Sequence, residues 1–88
     1  YIVNSNRESG VGRYDIMLEP KDKNGNSFIM EFKVLDDMEE KTIEDTIENA
    51  KKQIEEKGYE TNLKERGFTN ITKMVFAFKV KEVKMEIY

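Results

Sequence analysis

The stretch Phe28-Ile29-Met30-Glu31-Phe32-Lys33-Val34 decides how this chain is read. Side chains two apart on a strand point to the same side. Phe28, Met30, Phe32 and Val34 therefore share one face, which is the expected core face, and Glu31 and Lys33 share the other. An acid and a lysine fixed side by side suit a hard cation and a phosphate oxygen. Taken alone, Glu-x-Lys on a strand is more often a plain solvated face, and 38% of this chain is charged.

Working outward towards the N-terminus, Arg13–Glu19 has the same alternation, with Tyr14, Ile16 and Leu18 against Asp15, Met17 and Glu19. The two segments read as a β-hairpin. A tight Asn24-Gly25 turn would rotate Tyr14, Ile16 and Leu18 onto the charged face, because a one-residue slip exchanges the faces. A Lys23-Asn24-Gly25 loop, with Gly25 left-handed as a G1 bulge, keeps the apolar sets together. It sets Asp15 opposite Lys33 and Glu31 opposite Met17, so that Asp15, Glu31 and Lys33 converge. Before this hairpin, Tyr1-Ile2-Val3 looks like strand and Gly10-Val11-Gly12 like a tight turn between strands.

Beyond the hairpin, Ile43, Ile47, Ala50 and Ile54 recur at helical spacing. Asp36 or Asp37 can cap this helix with Glu39 or Glu40, and Thr42 is a competing cap. Gly58 ends it, with Lys57 favourably placed in the last turn. A short second helix is expected over about 60–66, stopping at Gly67, and strands over about 71–78 and 83–88. The order β-β-β-α-(α)-β-β, with a helical crossover between strands, implies a parallel pair inside a mixed sheet.

Composition excludes several chemistries. The chain has no cysteine and no histidine, which removes thiol nucleophiles, disulfides, imidazole bases and zinc sites of the Cys/His type. Any metal must be held by oxygen, which favours Mg²⁺, Mn²⁺ or Ca²⁺. There is no Walker-type glycine-lysine loop. At 88 residues the chain is a single small domain, residues 1–88. It has no apolar stretch of membrane-spanning length and no signal peptide, so a soluble cytoplasmic protein is the expected class. Because it opens on Tyr1, already strand-like, the chain is expected to be a piece of something longer. The net charge of −3 is not the basic surface of a strong nucleic-acid binder. Lys51, Lys52, Lys57, Lys64 and Arg66 lie along the helical part, either lining a phosphate path or forming a salt-bridged solvent face.

Arg13-Tyr14-Asp15, then Glu31-Phe32-Lys33, then a helix carrying Gln53-Ile54 with Tyr59 just beyond, resemble the PD-(D/E)XK nuclease superfamily. More narrowly, they are similar to the nuclease-like domain at the C-terminus of bacterial AAA-ATPase-like proteins. There a Ser-Gly-x-Gly-Arg-Tyr-Asp run precedes the hairpin, as Ser9-Gly10-Val11-Gly12-Arg13-Tyr14-Asp15 does here. The likeness covers about residues 4–83. It implies a restriction-endonuclease-like mixed α/β sheet, a three-layer core lacking its N-terminal helix. Asp15 and Glu31 would ligate Mg²⁺ or Mn²⁺, Lys33 would orient or activate the attacking water, and Gln53 would contribute from the helix. Gln53 borders the buried stripe and is otherwise a surface glutamine; Tyr59 is otherwise a packing residue. The implied partners are nucleic acid, DNA before RNA, and the AAA-ATPase-like domain of a parent chain. Homodimerisation through the surface a further helix would cover is the other implied association. The last hairpin, with Lys79-Val80-Lys81 at its turn, lacks the glycine expected there.

Overall fold

The computed structural model describes residues 1–8 and 13–88. The expected Gly10-Val11-Gly12 turn lies outside the described residues. Five strands form one sheet in chain order: β1 (Ile2–Glu8), β2 (Arg13–Glu19), β3 (Asn26–Val34), β4 (Asn70–Lys79) and β5 (Glu82–Ile87). Helices α1 (Ile43–Lys57) and α2 (Tyr59–Glu65) cross from β3 to β4. That crossover makes β3 and β4 parallel, and every other neighbouring pair is antiparallel. The mixed restriction-endonuclease-like sheet with a packed helix is thus the fold.

The β2–β3 register differs from expectation by two residues. Asp15 pairs with Glu31, Arg13 with Lys33 and Leu18 with Phe28. The parity is as expected, so the faces do not exchange. Pro20, which has no N–H to give a ladder, follows the last residue of β2, and the connection is longer than a tight loop. Its turn closes with Gly25 N–H donating to the Asp22 carbonyl at 2.9 Å, and Asn24 N–H donates to the Asp22 carboxylate at 2.9 Å. Gly25 is not left-handed, so there is no G1 bulge there. Its glycine answers a different need: a Cβ would lie 2.9 Å from the Pro20 Cβ.

Thr42, and not Asp36 or Asp37, caps α1. The Thr42 hydroxyl accepts from Asp45 N–H at 3.2 Å, and the Asp45 carboxylate accepts from Thr42 N–H at 3.1 Å, a reciprocal capping box. Asp36 instead closes a separate turn, accepting from the Met38 N–H. At the other end Gly58 adopts φ 66°, left-handed, and at once starts α2. Gly67, at φ 94°, ends α2, with Phe68 N–H donating to the Leu63 carbonyl at 3.0 Å.

Both helices cover the same face of the sheet. Met17, Ile29, Val75 and Ala77 from the strands meet Ile43, Ile47, Ala50, Ile54, Leu63 and Phe68 in the core. These strand residues alternate with Phe28, Met30, Phe32 and Val34, so the expected core face is the opposite one. The face that carries Asp15, Glu31 and Lys33 is the buried one. The aromatic face is half-exposed to exposed, with Phe32 stacked on Phe76 at 4.6 Å between ring centroids. The inversion has a physical cause. The stripe on α1 is narrow, of Ile and Ala, and fits the short apolar strip Met17–Ile29–Val75–Ala77. Much of the remainder of the covered face is filled by the ion pairs Lys33–Glu40, Lys57–Asp15 and Arg66–Glu19 rather than by larger apolar groups.

Candidate metal centre

The β pairing places Asn6, Asp15, Glu31, Val75 and Glu86 side by side in one row across the sheet. Asp15 and Glu31 are direct antiparallel partners, whose Cα atoms are about 4.5–5.5 Å apart in such pairs. They are 2% and 0% exposed. Two neighbouring buried carboxylates repel each other and call for a cation. Among the described residues no group of three or more acidic ligands forms. A Mg²⁺ ion is commonly held by one or two carboxylates plus waters and substrate phosphate, so a hard-oxygen pair fits that ion. A small cleft lined by Asn4, Asn6, Met17 and Tyr59 opens onto Asp15 from the β1 side.

A cation is already seated there. The Lys57 ammonium, from the last turn of α1, forms an ion pair with Asp15 Oδ2 and stands 3.8 Å from Glu31 Oε1. The Tyr59 hydroxyl donates to Asp15 Oδ1 at 3.0 Å, while its ring packs against the core. Burial raises the Tyr59 pKa above that of a free phenol, and the Asp15 carboxylate it donates to adds to the effect. Tyr59 is therefore both packing residue and site residue.

Lys33 shares the covered face with Glu31 but lies one row away, opposite Arg13 and beside Ala77. Its ammonium donates to Glu40 Oε2 at 2.9 Å, in an ion pair buried on both sides. Glu40 also accepts from Asp36 N–H at 2.8 Å, Thr46 Oγ1 at 3.0 Å and Asn49 Nδ2 at 2.6 Å. Burial opposes the charge on Glu40, but the Asp36 N–H, Asn49, Lys33 and Thr46 together hold its pKa down to about 2. This fully bonded carboxylate anchors Lys33.

Asn49, Gln53 and Lys57 follow one another at four-residue steps on α1. Each step advances the helix about 6 Å with little rotation. Gln53 thus sits, half-buried, between the Asn49–Glu40–Lys33 contacts and the Lys57–Asp15 pair. Sequence reasoning missed Glu40 and Lys57 as site residues. The polar stripe beside the apolar stripe was the available signal for Lys57; Glu40, reached through a loop, had none.

Three of the other helical cations are drawn into pairs. Lys51 meets Glu86 at 2.8 Å, Lys64 meets Glu60 at 3.4 Å, and Arg66 forks onto Glu19 at 2.8 and 2.5 Å. The Arg66 fork holds the Glu19 pKa below the usual carboxylate value. No helix among the described residues is long and apolar enough to cross a membrane.

The family model described as PD-(D/E)XK nuclease superfamily matches residues 1–87. No curated protein and no solved structure matches the chain.

Proposed function

The chain belongs to the PD-(D/E)XK nuclease superfamily, and on that premise we propose that it carries out Mg²⁺- or Mn²⁺-dependent hydrolysis of phosphodiesters in nucleic acid, DNA before RNA. The observation that supports this is the Asp15–Glu31 pair, buried on adjacent strands around the position of one cation. Asp15 and Glu31 would hold the divalent ion, which when bound supplies charge to polarise phosphate and lowers the pKa of water. Lys33 orients the attacking water or the phosphate. Glu40 accepts one hydrogen bond from the Lys33 ammonium, which has three donors, so the bond to Glu40 leaves capacity for a ligand. Gln53 projects from α1 between the two polar clusters and positions substrate or water. Tyr59 holds the Asp15 carboxylate in orientation through the bond to Oδ1.

A second reading is favoured by the open aromatic face. A nuclease-fold module that has lost catalysis could use it for assembly, with an AAA-ATPase-like region of a longer parent or with a second copy. Cleavage assays on the parent protein separate the two. DNA and RNA cleavage that needs Mg²⁺ or Mn²⁺, and falls at least roughly a hundredfold in Asp15→Asn and Glu31→Gln, supports the enzyme. Inactivity of the parent on both substrates with either ion supports the module.

A further inference from the structure

We propose that Lys57 is a built-in counter-cation of the acid pair, occupying the position of a divalent ion and leaving when that ion binds. The inference rests on the reading of Asp15 and Glu31 as the ion site. One ammonium touches carboxylates from two adjacent strands, Asp15 directly and Glu31 at 3.8 Å, as a bound ion would. Without it, two carboxylates with side chains 3% and 0% exposed would face each other in a poorly solvated layer. With both ammonium and divalent ion present, the like charges would repel at a few ångström. The site therefore favours either Lys57 or the ion, not both.

The two lysines of the covered face are built differently for this. Lys33, on a central strand, is 7% exposed at its side chain and tied to a carboxylate that has three further donors. Lys57 is 17% exposed and sits on the last residue of α1, next to the left-handed Gly58. Its flexible four-carbon stem starts at the helix end, from which it can swing towards solvent. Lys33 is fixed and Lys57 is releasable. The consequence is a protein that stays folded without the ion and needs a higher ion concentration to load.

Mn²⁺ binding by calorimetry, together with melting temperature, tests this in wild type, Lys57→Met and Lys57→Gln. Removing the competitor should tighten Mn²⁺ binding by roughly tenfold or more. The ion-free variants should melt lower than wild type, and saturating Mn²⁺ should remove most of that deficit. Lys57→Gln keeps a donor for Asp15 while losing the charge, so it should show the same tightening if Lys57→Met folds poorly. Lys57→Arg, which keeps the charge, should bind Mn²⁺ as weakly as wild type. Equal affinity in wild type and both neutral variants, with binding lost in Asp15→Asn, would overturn the role of Lys57 and leave the ion site standing. A melting deficit unchanged by Mn²⁺ would also overturn it, marking Lys57 as structural only. No Mn²⁺ binding in any protein would remove the ion site and this inference together.

Discussion

On the helix-covered face of the sheet, Asp15, Glu31 and Lys33 lie buried among the apolar strand residues Met17, Ile29, Val75 and Ala77, with Ile71 packed against them. On the other face Tyr14, Phe28, Met30, Phe32, Phe76, Phe78 and Met85 form a far more apolar surface, with no helix over it among the described residues. Hydrophobicity alone would have covered the second face and solvated the first. Burial of a polar face is thus set by partnering. Glu40 collects four donors, Lys57 and Tyr59 close on Asp15, and Lys57 also pairs with Glu31, so the charges are covered with opposite charges or donors beside them. A site needs that arrangement, because a low-dielectric setting strengthens its electrostatics.

Truncations on the two faces should show the largest contrast. Ile54→Ala, under the helix, should cost about 2–5 kcal/mol in urea unfolding. Met85→Ala, 48% exposed on the open face, should cost less than about 1 kcal/mol. Equal costs would mean that the open face is covered in solution, and the comparison would break.

Acid should attack the covered face through Glu40. Its folded pKa of about 2 lies below the ordinary 4.5. The stability it contributes is therefore present above pH 4.5 and is lost as pH falls from there through about 2. The loss should approach about 3 kcal/mol, read as the slope of unfolding free energy over that window. Glu40→Gln should flatten the slope. A wild-type profile as flat as that of the variant would remove Glu40 as the anchor of the network.

Lys33→Met sharpens the distinction between holding the fold and doing the chemistry. Glu40 keeps three other donors, and Met matches the apolar stem. The cost in stability should be about 1–2 kcal/mol, with Mn²⁺ binding largely kept and hydrolysis lost. Cleavage that survives the change would take the catalytic role away from Lys33. The smallest effect belongs outside both faces, in the β4–β5 turn, where Lys81 adopts φ 63°. Lys81→Gly should stabilise by about 1 kcal/mol, because a side chain is disfavoured in that region, and a change of the opposite sign in thermal unfolding would refute the account of the turn.

Much of this was legible in the residues. The alternation of Arg13–Glu19 and of 28–34, the Ile43–Ile47–Ala50–Ile54 stripe, and the Gly58 and Gly67 stops mark elements the fold contains. So did the parity that keeps Asp15 on the face of Glu31. The register itself was not legible, because Pro20 ends β2 and the connection folds back on itself with Gly25 close to Pro20, a loop geometry that strand alternation does not reveal. Which face the helices cover was hidden too. Alternation says that two faces differ, but the cover is decided by helix shape and by a loop carboxylate that satisfies a buried lysine. Lys57 reads locally as a helix-end charge, and only the fold carries it to the acid pair.

Whether one divalent ion replaces the Lys57 ammonium between Asp15 and Glu31 can be seen in crystals soaked in Mn²⁺ and measured at a wavelength with manganese anomalous signal. One anomalous peak is expected between β2 and β3, roughly 2.0–2.2 Å from oxygens of both Asp15 and Glu31, with the Lys57 ammonium withdrawn. A peak elsewhere on the molecule, or Lys57 still paired with Asp15 at saturating Mn²⁺, would contradict it.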